Sequence, residues 1–392
     1  MFSLIKKIII RKIKNSKKED TIETTITTNK GKTKASAPSG TSAGKHEVKA
    51  YNKTIENSIK EAKQVLPKLI GEDETNQEEI DEFLKSNIKK IGGSIAIATS
   101  IAIARAGAKK QKKQLYQYIN KGEEYSKPIM LGKCIGGGAH AKNSTTIQEF
   151  LSIPLTENMR KAVKINKIVH KETARILKNY KGFTKKLDYE GGWTANITDE
   201  NALGVLSSAI ERTSKKTKTN IALGIDVAAS EFWDGKKYKY KKHSKTPKQH
   251  YDFIKYLIKE YDIYYIEDPF HEEDFKSTAK LTKQFKDRLI VGDDLFTTNP
   301  KRLKKGIKLK AGNSIIIKPN QIGTLTEAYE TVEIAKNNAY TPVISHRSGE
   351  TKDPAIADLA VGWGIPFIKI GIKGKEREAK TNRLIKIEKV MK

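Results

Sequence analysis

Along the second half of the chain, short apolar runs give way one after another to a residue that can ionise or hold an ion. Ile221–Ile225 ends at Asp226, Tyr264–Ile266 at Glu267, Leu289–Val291 at Asp293 after one glycine, Ile315–Ile317 at Lys318 and Pro366–Ile368 at Lys369. Pro342–Ile344 leads into Ser345-His346-Arg347-Ser348. Asp226, Glu267 and Asp293 bring hard oxygen donors and neither histidine nor cysteine. Such a set suits magnesium over zinc and leaves coordination positions for substrate and water. The same carboxylates could instead form ion pairs with the chain's many lysines. Lys318 closes an apolar run, where burial and neighbouring positive charge lower a lysine's pKa toward that of a base.

The elements that must carry these groups follow from the runs themselves. Each is short, β-branched and continuous, as expected of a strand buried on both faces. Apart from the longer step after Asp226, the polar ends recur at about one strand-plus-helix unit, roughly 30 residues. Chemistry at the C-terminal ends of parallel strands is the layout of an α/β barrel of the TIM type.

The first part of the chain reads differently. Residues up to about Asn29 alternate apolar with polar or threonine positions (Thr21–Thr28 is TIETTITT) and predict strands of a small sheet, with MFSLIKKIIIRKIKN as its first strand rather than a targeting segment. Lys30-Gly31-Lys32-Thr33 resembles the end of a phosphate-binding loop, but Ile26 stands where that loop needs glycine. From Tyr51 to about Ile119 the pattern is helical. Ile80, Phe83, Leu84, Ile88 and Ile91 share a face, and Ser94–Ala108 is an Ala/Ile-rich buried helix. Polar Asn120–Lys127 serves as linker, which divides the chain into an α+β capping domain, 1–125, and the barrel, 126–392.

A chain of 392 residues with 37% hydrophobic and 31% charged residues is a compact, well-solvated protein and not a disordered one. Its single cysteine, Cys134, excludes an internal disulfide and fits a reducing, cytoplasmic setting. The longest charge-free apolar stretch, Gly92–Ala104, is too short to span a bilayer. The net charge of +29 comes from lysines spread along the whole chain, which points to compositional bias with non-specific attraction for polyanions at low salt. Asp234–Lys245 (DGKKYKYKKHSK) interleaves lysine with tyrosine and is the segment best suited to nucleic-acid contact, although a lysine-decorated excursion from the barrel is the plainer account.

Nine motifs in order, Ser36–Gly44 (SAPSGTSAG), GGGAHA (136–141), IQEF (147–150), YEGGW (189–193), GIDVAASEFW (224–233), IEDPF (266–270), VGDDLFTTNPKR (291–302), IKPNQIGTLTE (317–327) and SHRSGET (345–351), resemble the enolase family. The resemblance runs from about Lys30 to Glu388. It implies a lyase of glycolysis and gluconeogenesis that dehydrates 2-phosphoglycerate to phosphoenolpyruvate. Two magnesium ions per site are expected, held by Asp226, Glu267, Asp293 and, on a loop that closes over substrate, Ser42. Lys318 is then the base and Glu190 the acid. His140, Gln148, Glu149 and His346 line the pocket, Arg347 and Ser348 meet the phosphate, and Lys369 meets the substrate carboxylate.

Some positions depart from the family. Ser16-Lys17-Lys18-Glu19-Asp20-Thr21 stands where relatives have Ser-Arg-Gly-Asn-Pro-Thr, whose arginine helps form their dimer, so a homo-oligomer with a rebuilt contact is expected. Ile370-Gly371-Ile372-Lys373 replaces Thr-Gly-Ala-Pro, and Ala43 replaces a threonine. These leave open two further readings, the same metal and base acting on another carboxylate and a basic polyanion-binding protein on the same scaffold.

Overall fold

The computed structural model describes residues 4–40 and 44–391. It opens on an antiparallel meander of β1 (Ile5–Lys14), β2 (Asp20–Thr28) and β3 (Gly31–Ser36). Alternation along β2 puts Ile22, Thr24, Ile26 and Thr28 on one buried face. Five helices follow: α1 (Ile55–Val65), α2 (Gln77–Ser86), the one-turn α3 (Ile88–Ile91), α4 (Gly93–Lys110) and the short α5 (Leu115–Tyr118). The apolar stripe expected along Ile80–Ile91 is shared by two helices, because Asn87 interrupts α2 and its amide caps the carbonyl of Phe83 at 2.9 Å.

Helix α4 is the axis of this domain. Its Ala and Ile residues are buried nearly all round, since β2 and β3 cover one side and barrel helices the other. Arg105 is a polar exception and pairs with Asp353 of the barrel at 2.6 and 2.8 Å. Asp81 of α2 accepts from the backbone N–H and the hydroxyl of Thr326 at 2.9 and 2.7 Å, and Ser100 caps Leu325. One hydrophobic core therefore runs without a break from Ile26 and Ile97 to Leu303, Val332 and Leu359.

The remaining chain runs β4 (Ile129–Gly136), β5 (Glu149–Pro154), α6 (Met159–Leu177), a hairpin of β6 (Phe183–Leu187) and β7 (Trp193–Ala195), α7 (Asp199–Thr217) and β8 (Ile221–Asp226). A small hairpin, β9 (Tyr238–Lys239) and β10 (Ser244–Lys245), is the lysine-rich excursion. Then come α8 (Pro247–Glu260), β11 (Ile263–Glu267), α9 (Phe275–Gln284), β12 (Leu289–Gly292), α10 (Pro300–Leu309) and β13 (Ser314–Ile317). The chain finishes with α11 (Pro319–Ile322), α12 (Leu325–Asn337), β14 (Thr341–Ser345), α13 (Ala355–Gly362), β15 (Phe367–Lys369) and α14 (Lys375–Val390). Side-chain caps set the helix starts: Thr246 and Gln249 form a capping box ahead of Pro247, and Asn299 precedes Pro300.

Strands β4, β5, β8, β11, β12, β13, β14 and β15 neighbour one another in that order, and β15 pairs with β4 to close a barrel. Leu131, Leu151, Ile153, Tyr265, Val291, Ile316, Val343 and Phe367 fill its lumen. The barrel is not wholly parallel. β5 runs antiparallel to both β4 and β8, because only a short connection separates it from β4 and no crossover helix intervenes. Its first residue, not its last, therefore lies at the functional rim. Among the described residues no helix is long and apolar enough to cross a membrane.

Candidate active site

Strand register gathers the acids. Asp226 ends β8 opposite Glu267 of β11 on one side and Glu149 of the reversed β5 on the other. Three carboxylates thus stand side by side on adjacent strands, all essentially buried. Lys369, at the end of β15, reaches them all, with its ammonium 3.0 Å from Glu149 Oε2, 3.0 Å from Asp226 Oδ2 and 2.7 Å from Glu267 Oε2. Burial opposes this charge, but the three anions outweigh it and hold Lys369 well above the usual lysine range.

After β11 the backbone turns at Asp268, whose φ of 40° lets its carboxylate accept the N–H groups of Asp293 and Asp294 at 3.0 and 2.7 Å. Asp268, Asp293 and Asp294 lie close enough together to share an ion. After β12, Thr297 and Thr298 both adopt positive φ, 50° and 53°, a costly conformation for a β-branched residue. The strain has a structural return: the Thr298 hydroxyl accepts the Lys318 N–H at 2.9 Å and donates to Gln321 at 2.7 Å, fixing the turn that presents Lys318.

Lys318 bonds Asp293 Oδ2 directly. The sequence predicts a lowered pKa for this lysine, and the structure gives the opposite direction. Burial does push it down, and Arg347 and Lys369 add to that, but the Asp293 carboxylate holds it above its ordinary value. Asp293 in turn is held below the carboxylate range, as Lys318 overcomes its burial.

On the other side of the pocket, Glu190 sits in the turn between β6 and β7, and Asp188 Oδ1 accepts the N–H groups of Glu190 and Gly192, both at 2.9 Å. Lys133 Nζ lies 3.0 Å from Glu190 Oε2, 2.7 Å from Asp188 Oδ2, 3.6 Å from Glu149 Oε1 and 2.7 Å from His140 Nδ1. Against its burial, Lys133 and His140 hold Glu190 well below the carboxylate range. His346 Nε2 is 3.9 Å from Glu190, and burial and Arg377 keep this imidazole neutral.

The pocket is lined by His140, Gln148, Glu149, Glu190, Asp226, Asp293, Lys318, His346, Arg347, Ser348 and Lys369, so every described side chain expected there from the sequence converges except Glu267, which is buried beneath Lys369. Ser42 and Ala43 lie outside the described residues. Gln148 donates to Asp226 at 3.4 Å. Arg347, expected to meet phosphate, is braced by Glu47 at 3.1 and 3.2 Å and by Asn320 at 3.3 Å. Ser16 of the altered N-terminal motif binds the Ser348 carbonyl and the Glu350 N–H, so this turn docks against the loop that carries Arg347 and Ser348.

Sequence reasoning missed Lys133, Asp188, Glu47 and Tyr265, and also Asp268 and Asp294, which stand with Asp293 as a possible ion site. Lys133 left a signal: it is a charge inside an otherwise apolar strand, IMLGKCIG, where only a partnered charge survives burial. Glu47 left none.

The site fits a divalent cation. Its donors are carboxylate oxygens, Glu267 Oε1 is buried with no hydrogen-bond partner among the described residues, and Glu267 is pushed well above its usual range by burial and by the neighbouring charge of Asp226. A second positive charge relieves that repulsion, as hard oxygen sites require.

Two domain families match this chain: "Enolase, N-terminal domain" over residues 5–119 and "Enolase, C-terminal TIM barrel domain" over residues 124–392. The chain is 41% identical over 394 residues to the enolase of Archaeoglobus fulgidus, covering 99% of this chain and 98% of that one. It is 43% identical to the enolase of Methanosphaera stadtmanae over 403 residues, covering 99% and 97%. With the enolase of Pyrobaculum aerophilum the identity is 43% over 381 residues, covering 94% and 91%.

Proposed function

Because the chain belongs to the enolase family, we propose that it eliminates water from 2-phosphoglycerate to give phosphoenolpyruvate, a step of glycolysis and gluconeogenesis, with magnesium as its cofactor. It is an enzyme, a carbon–oxygen lyase of the phosphopyruvate hydratase type. The observation that carries the proposal is the placement of an amine, Lys318, and a carboxyl group, Glu190, on the walls of one pocket floored by buried carboxylates.

Asp226, Glu267 and Asp293 would hold the metal, with Ser42 as a further ligand. When bound, it supplies Lewis-acid stabilisation of the doubly charged substrate carboxylate formed when the C2 proton leaves. The chain's own groups do the rest. Lys318 takes the C2 proton. Burial, Arg347 and Lys369 all favour its neutral amine, and Asp293, which opposes them, would share its charge with the cation. Lys369 faces the substrate carboxylate, while Arg347 and Ser348 meet the phosphate. Glu190, which Lys133 and His140 hold ionised, would have to bind a proton before giving it to the departing C3 hydroxide, and His140, Gln148, Glu149 and His346 shape the pocket around it.

The test is a coupled assay with 2-phosphoglycerate and magnesium on protein shown to be folded. Turnover that chelation abolishes is expected. No turnover at saturating magnesium moves the assignment to another carboxylate substrate. We further infer a homo-oligomer in the cytoplasm, with a subunit contact rebuilt around the Ser16–Thr21 turn. Sedimentation showing monomer alone at micromolar concentration contradicts that contact.

A further inference from the structure

We infer that Lys133 is a positioning residue for the acid half of the reaction, acting through Glu190; this rests on the function proposed above. Lys133 is 1% exposed and stands inside strand β4, one of the most expensive places for an ammonium group. It is retained there with three carboxylates and an imidazole around it: Asp188, Glu190, Glu149 and His140. The surroundings are built to its shape. A Cβ at Gly192 would crowd Lys133 Cε at 3.1 Å, and one at Gly136 would collide with Asp188 Oδ2, the atom Lys133 binds at 2.7 Å. Asp188 also fixes the Glu190 backbone, so Lys133 holds Glu190 twice, by its carboxylate and by its turn.

Lys133 does not line the pocket, and its shortest contacts are to Asp188, His140 and Glu190, with Glu149 farther off at 3.6 Å. Lys318, directly after strand β13, is tied instead to Asp293, directly after strand β12. Removing Lys133 should therefore disturb the departure of hydroxide while leaving proton abstraction at C2 largely intact. A merely structural role predicts no such split.

The experiment measures, for each variant with magnesium, dehydration of 2-phosphoglycerate and deuterium incorporation at its C2 position. Lys133→Met is expected to lower dehydration by about 100-fold, the lower end of what an acid–base group supplies, and to keep exchange within about threefold of wild type. Adding Glu190→Gln to it should cost little more, since residues that act as a unit are not additive. Should Lys133→Met fail to fold with three unpaired anions, Lys133→Met/Asp188→Asn removes one of them while keeping the oxygen that binds the Glu190 and Gly192 N–H groups, and the same split is expected. Equal loss of exchange and dehydration, full retention of dehydration, or additive losses with Glu190→Gln would each overturn the inference while wild type stays active. A wild-type protein that neither exchanges nor dehydrates overturns the underlying function as well.

Discussion

The hydroxyl of Tyr265 donates a 2.6 Å hydrogen bond to Glu267 Oε2 inside the barrel, where both residues are fully buried. That bond, with the one from Lys369 to the same oxygen, leaves Glu267 Oε1 without a hydrogen-bond partner among the described residues. Tyr265→Phe keeps the ring that fills the lumen and removes only the donor. Groups that orient a metal ligand are typically worth 10–100-fold in affinity, so magnesium binding measured by calorimetry should weaken by about that factor with the fold unchanged. Unaltered affinity would show that Lys369 orients Glu267 alone.

The base and acid act on different atoms, and isotope exchange separates them. Lys318→Ala should abolish both dehydration and exchange at C2. Glu190→Gln should lower dehydration by about 100-fold or more while exchange persists, because the carbanion can still form and return. Exchange surviving in Lys318→Ala but lost in Glu190→Gln would reverse the two roles.

His250 sets a pH dependence of stability away from the site. Its ring is buried, bonded to the Tyr240 hydroxyl at 2.8 Å and the Pro269 carbonyl at 2.7 Å, and burial lowers its pKa from 6.5 to about 4. Between those values the unfolded chain takes up a proton that the folded chain refuses. The stability this neutral histidine contributes is therefore present above pH 6.5 and is lost as pH falls toward 4, by up to ~1.4 kcal/mol per pH unit. Denaturation midpoints across that window should fall less steeply for His250→Gln than for wild type. Parallel curves would contradict the assignment.

The strand ends that carry Asp226, Glu267, Lys318 and Lys369 were legible because a buried parallel strand is a short continuous apolar run, and its end is marked by the first polar residue. That rule is silent on Glu149: on a strand running the other way the functional residue comes first, and only the resemblance pointed to it. It is silent on Lys133 too, since a charge in mid-strand reads as a flaw until its partners, distant in sequence, are seen around it. The pairing of Lys318 with Asp293 is not legible for a related reason. Burial and nearby cations were inferable, but the direct contact with Asp293 depends on how far two neighbouring side chains reach.

Closure of β15 onto β4 orders events during synthesis on the ribosome. The first barrel strand, Ile129–Gly136, emerges early, and the edge it offers to Phe367–Lys369 waits while the intervening chain is made. An unpaired edge of this kind is open to wrong partners, which makes the late segment a point of vulnerability for the nascent chain. Lys369, the ammonium that ties Glu149, Asp226 and Glu267 together, arrives on that same strand. A chain stopped before Phe367 lacks both the stave that closes the barrel and the ammonium that ties Glu149, Asp226 and Glu267 together, so closure of the barrel and pairing of those three acids come together.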